Sequence, residues 1–180
     1  MKSQDKQPSS STTSEAGGGS WQFKFIMFVI ALGILGRLDL LKSLFDAVLV
    51  PEAVQKEIER GGIKLAGLED FRRADWIRIV PLQKPSDALL ESLLDIGEAA
   101  VISLAREQQA TLVLIDERKA RKVARDIYGL QPIGTARILV EAKKKKLLPD
   151  IASQFQKLRQ EGYWIHASIV ETALREAGEA

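Results

Sequence analysis

Apolar residues recur along this chain at two different spacings. In 36–45 (GRLDLLKSLF), 51–60 (PEAVQKEIER), 98–109, 117–128, 135–146 and 167–177 they return every three or four positions, the period of one helical face. Short runs of a different kind lie between them: Ala47-Val48-Leu49-Val50, the alternating Trp76-Ile77-Arg78-Ile79-Val80, the segment 111–115 (TLVLI) and a short piece near 131–133. These predict strands. Pro51, suited to a first helical position, separates the first strand from its helix, and Gly61-Gly62 ends that helix. A short helix is predicted over 68–74. Another opens at Pro85-Ser86-Asp87, with Ser86 or Asp87 as cap, and is interrupted at Gly97. Pro149 begins a helix reaching about Gln160. Strands alternating with helices imply an α/β fold, a three-layer α/β/α sandwich around a mainly parallel central sheet. The C-terminal helices read as additions to that core.

The first 36 residues follow neither spacing. Met1 to Ser20 is rich in Ser, Thr, Gln and Gly, a composition that buries too little apolar surface to offset its ordering entropy. It reads as a disordered tail, leaving 21–180 as one domain. The stretch 21–36 (WQFKFIMFVIALGILG) is strongly apolar. A spanning helix needs about 20 apolar residues. This stretch has Lys24 inside it and Arg37 directly after it. It reads as a buried first strand and helix, with a membrane tether as the alternative; the location expected is the cytoplasm.

Composition narrows the chemistry. The chain of 180 residues has no cysteine and one histidine, so thiolate sites, disulfides and a multi-histidine zinc site within one chain are excluded. A metal here would be bound by oxygen, which points to Mg²⁺ or Mn²⁺. The net charge is only +2, but residues 118–146 carry ten Lys or Arg against Asp126 and Glu141. That segment suits an anionic polymer, or simply a solvated helix face. No glycine pattern makes a phosphate-binding loop. His166, next to Tyr163 and Trp164, reads as a packed histidine.

Three acids stand where they can meet. Asp116 closes the run TLVLI, and in open α/β sheets ligands gather at the carboxyl ends of strands. Its structural role would be to cap the helix that follows. Glu98 follows Gly97 at a helix start, where an acid also stabilises the helix dipole. Glu57 lies on the helix 51–60, where an exposed glutamate is the ordinary reading. Asp95 precedes Glu98 by three positions and shares its face only if the helix is continuous through Gly97. Asp87, Glu91 and Asp95 recur every four residues in a stretch, 86–105, without Lys or Arg, and read as one acidic stripe, solvated or docking a basic partner.

Four segments together resemble the PIN-domain proteins: GRLDLLKSLFDAVLVPEAVQKEI (36–58), LDIGEAAVISLA (94–105), LIDERKARKVARDIYGL (114–130) and IGTARILVEAKKKKLLPDI (133–151). The ending GYWIHASIVETALREAGE (162–179) fits a PIN-like branch of the same family. The resemblance implies a metal-dependent endoribonuclease of the toxin–antitoxin type, with Mg²⁺ or Mn²⁺ held by Glu57, Glu98 and Asp116. RNA would lie along Arg118, Lys119, Arg121, Lys122, Lys143 and Lys144, with Thr135 a small polar residue near the site. Partners would be RNA, an antitoxin protein and a second copy of the chain. One departure is plain. Family members begin with a strand ending in Asp-Thr-Ser-Pro, and that place is taken here by Phe25-Ile26-Met27-Phe28. No acid lies between Glu15 and Asp39, and Gly-Thr-Leu-Gly becomes Gly134-Thr135-Ala136-Arg137. Without the first carboxylate, cleavage would fall by orders of magnitude, leaving a non-catalytic module that binds RNA or protein.

Overall fold

The computed structural model describes residues 27–61 and 66–180. The tail expected over 1–20 and the strand expected before residue 27 lie outside the described residues. The chain begins with α1 (Met27–Leu35) and α2 (Asp39–Leu44), then β1 (Val48–Pro51), α3 (Glu52–Arg60), α4 (Leu68–Arg73) and β2 (Ile77–Val80). Next come α5 (Ala88–Leu93), α6 (Ile96–Glu107), β3 (Leu112–Leu114), α7 (Arg118–Asp126), β4 (Gln131–Ile133) and α8 (Thr135–Lys144). Helices α9 (Ala152–Gln160) and α10 (Ala167–Ala177) complete it. This is the expected α/β class with added C-terminal helices.

Pairing is parallel throughout the described residues. β1 runs beside β2, with Val48 opposite Ile77 and Val50 opposite Ile79. β3 runs beside β4, with Val113 opposite Pro132. Bonds from Gln131 N to Thr111 O (2.7 Å) and from Ile115 N to Ile133 O (2.9 Å) extend this second ladder over 111–115. Among the described residues the ladders join β1 to β2 and β3 to β4, and the parallel pairing is the one expected. Residues of β1 and of β3 line the same cleft, of about 590 Å³, together with Phe28, Leu104 and Ala105.

The buried apolar side chains form two clusters, with Leu114 of β3 and Ile133 of β4 packing on the larger one. The larger one joins Val29, Leu32, Leu40, Leu41, Val54, Ile58, Ile138, Leu139 and Leu158. The smaller joins Leu90, Ala99, Ile102, Val113, Ile115, Ala120 and Ala124. Helical spacing explains which residues enter: Val54 and Ile58 are one turn apart on α3, while Ala120, Val123 and Ala124 face inward on α7 and its Arg and Lys residues mostly face out. α1 packs against α4, α8 and α9 with Phe28, Val29, Ala31, Leu32 and Leu35 buried. This part of 21–36 therefore belongs to the core. Among the described residues no helix is long and apolar enough to cross a membrane.

The helix expected to break at Gly97 breaks earlier. α5 ends at Leu93, and Asp95 caps a new helix in which Gly97 is an ordinary buried residue. The acidic stripe does not form. Asp87 caps α5 through Leu89 N at 2.8 Å and Asp95 caps α6, so the two lie at different helix starts.

Candidate functional site

β3 ends at Leu114, the buried Ile115 makes one further ladder bond, and the chain leaves the sheet at Asp116. The capping role considered for Asp116 in the helix that follows belongs to its neighbour: Glu117 accepts from Ala120 N at 2.8 Å and starts α7. Asp116 instead turns toward the start of α8. Its Oδ1 accepts from Thr135 N at 2.8 Å, and its Oδ2 from Thr135 Oγ1 at 2.7 Å. Thr135 is fully buried and sits at the first position of α8, where backbone N–H groups lack partners within the helix. A carboxylate at that place satisfies one donor and lies at the positive end of the helix dipole.

Tyr163 completes the arrangement. Its hydroxyl donates to Asp116 Oδ2 at 3.1 Å from a residue only 6% exposed. Burial and the adjacent Asp116 charge push its pKa above the ordinary tyrosine value, so it remains a donor. Gly134 is required here by space. A Cβ on it would lie 2.5 Å from Asp116 Oδ1 and 2.8 Å from Arg121 Nη1. Arg121 thus lies against Gly134, and its Nη2 donates to Pro132 O at 3.4 Å. The remaining basic residues at this end, Arg118, Lys119 and Lys122, are exposed on α7.

The other two acids form a second group at the α3–α6 junction. Glu98 is 4% exposed and belongs to a capping box: its N–H donates to Asp95 Oδ1 at 2.8 Å, and its Oε2 accepts from Asp95 N at 3.4 Å. Glu57 is half-buried on α3. Its pKa is raised to about 7, chiefly by burial and then by the charge of Asp95, with Arg60 opposing. Asp95 thus links Glu57 and Glu98, while Asp116 is bonded to Thr135 and Tyr163.

The donor set can be tested against the metal that the sequence implies. Among the described residues no three of His, Asp and Glu stand in an arrangement able to hold a metal ion. Asp116 directs both oxygens at protein donors. The side chains as placed do not fit a preformed divalent-metal centre built from Glu57, Glu98 and Asp116.

Two of the predicted RNA contacts sit elsewhere. Lys143 donates to the Pro149 carbonyl and pairs with Glu179 at 3.1 Å. Lys144 pairs with Glu141 at 3.6 Å. They end α8, roughly 12–14 Å along the axis from Thr135 at 1.5 Å per residue. His166 also departs from its expected role. It is exposed and caps α10, with Nδ1 accepting from Ser168 N at 3.3 Å. Sequence reasoning missed Tyr163 as a partner of Asp116, since nothing local marks a contact across 47 positions.

Parallel βα units with an acid at a strand exit, clasped to the next helix start, define an α/β protein. A PIN-domain family model matches residues 27–179, and the chain belongs to that family. PIN domains generally use divalent metal ions. No curated protein matches the chain, and neither does any solved structure.

Proposed function

We propose that this chain is a PIN-fold RNA-binding module of toxin–antitoxin type in which metal-dependent cleavage has decayed. The observation that carries this reading is the clasp on Asp116: both carboxylate oxygens face donors from Thr135 and Tyr163. These three bonds take up three of the roughly four lone-pair sites of the carboxylate, so little of Asp116 is left for an ion. The sequence supports the same reading, because Phe25 stands where the family's first acid belongs; that position lies outside the described residues. RNA would be held by the exposed cations of α7, Arg118, Lys119 and Lys122, with Arg121 beside Gly134. Contacts of this kind depend on counterion release and weaken with salt. An antitoxin protein and a second copy of the chain are the protein partners of this reading, and the cytoplasm is where it would act.

One observation favours a second reading, a Mg²⁺- or Mn²⁺-dependent endoribonuclease. Glu57 and Asp95 repel each other, and such a pair is relieved by a cation. Incubation of 5′-labelled RNA with Mn²⁺ separates the two. The expected result is binding by the native protein with no more product than Asp116→Asn gives, and the appearance of cleavage in Phe25→Asp. Cleavage by the native protein that disappears in Asp116→Asn would establish the nuclease instead.

A further inference from the structure

Residues of α9 and α10 line a groove of about 360 Å³. Its lining is mostly apolar, and Phe155, Leu158 and Tyr163 are buried there. Tyr163 is also tied to Asp116, so this part of the wall is fixed in place. Trp164 lines the same groove yet is 70% exposed. Tryptophan is highly buried on average, and covering so large an apolar side chain is favourable. Ile169, at 49% exposure, adds apolar area next to Val170 of the groove. Two charged side chains line it, Arg159 on α9 and Glu171 on α10. Both are exposed, and among the described residues neither is in an ion pair. Arg159 instead holds its guanidinium 5.7 Å from the Trp164 ring centroid.

The charge pattern selects the occupant. Glu171 would repel an anionic partner, and Arg159 a cationic one. A second copy related by a two-fold axis carries both signs and answers both, because each contact in such an interface occurs twice, i with j and j with i. We propose that two copies of this chain associate through their α9–α10 grooves, with each Trp164 seated in the other copy's groove and Arg159 paired with Glu171 across the axis. Tryptophan and arginine are the side chains enriched at the energetic centres of protein interfaces. The proposal rests on the second-copy partner of the reading above, gives that partner a surface, and needs no RNA.

The test is analytical ultracentrifugation of the full chain over a concentration series. The native protein is expected to be dimeric. Trp164→Ala is expected to raise the dimer dissociation constant at least about 30-fold, the effect of losing a central anchor. Arg159→Glu and Glu171→Arg each set like charges against one another twice, and each is expected to weaken association roughly 10-fold or more. An equimolar mixture of these two variants opposes unlike charges again. It is expected to dimerise nearly as the native protein does, which misfolded variants could not. A native protein that stays monomeric at every concentration would overturn the proposal, whether or not it binds RNA. So would a dimer untouched by Trp164→Ala, or a mixture that associates no more tightly than its separate components. Native dimers without affinity for RNA would overturn the RNA reading and leave this interface standing.

Discussion

At Asp116 a single carboxylate receives a backbone N–H, a threonine hydroxyl and a tyrosine hydroxyl, and so joins β3, α8 and the chain before α10. Thr135 contributes two of these bonds from a fully buried position. Thr135→Val keeps the shape and removes the hydroxyl donor, so Asp116 Oδ2 retains Tyr163 alone. Unfolding free energy is expected to fall by about 1.5–3 kcal/mol, the range for a hydrogen bond to a charged group, as read from urea melts. Stability equal to the native protein would show that the clasp carries no weight. Combining Thr135→Val with Tyr163→Phe is expected to be non-additive, because both bonds converge on the same oxygen. Asp116 was legible in the sequence because an apolar strand ending in a carboxylate is a local pattern. Tyr163 was not, because its role exists only once the chain returns from α9.

The elements show how a cap decides a boundary. A four-residue acidic repeat over 87–95 suggests one helix, yet Asp87 and Asp95 each bind N–H groups of the residues just after them. Their short side chains compete for backbone donors and so begin helices. The close crossing of α1 with the turn before α4 is a second device. Gly67 has φ +85°, and the Cβ that Gly33 lacks would meet the Gly67 backbone. In an open helix, Gly33→Ala would gain about 1 kcal/mol. Here the clash is expected to reverse the sign, with a net loss on the order of 1–3 kcal/mol in a thermal or urea melt. A more stable variant would show that the two backbones separate freely.

At the scale of the molecule, two cores meet through α6, which contacts both β1 and β3. Glu57 on α3 faces Asp95 at the start of that same helix, so its titration reports on how the halves join. The ordinary value of 4.5 rises to about 7 in the folded protein. Between those limits the folded state binds a proton that the unfolded chain has lost. Stability therefore falls as pH rises from about 4.5 to 7, and the penalty is complete above that window. Solvent screening of this half-buried group leaves a penalty on the order of 1–2 kcal/mol. Glu57→Gln is expected to be more stable than the native protein at pH 8 and to flatten the dependence between pH 5 and 7. Denaturant melts across that range check it, and parallel pH profiles for the two proteins would contradict it.

By itself, the sequence determined the alternation of helices and strands, the α/β class and the strand-end position of Asp116. Each of these follows from the spacing of apolar residues and from neighbours within a few positions. Tertiary structure alone decided that the described strands form two pairs and that Asp116 serves α8 through Thr135 and is met by Tyr163. It alone placed Lys143 against Glu179 at the far end of α8. These outcomes depend on which distant donors reach a given oxygen after packing, and hydrogen bonds act over about 3 Å, a range that no sequence separation encodes.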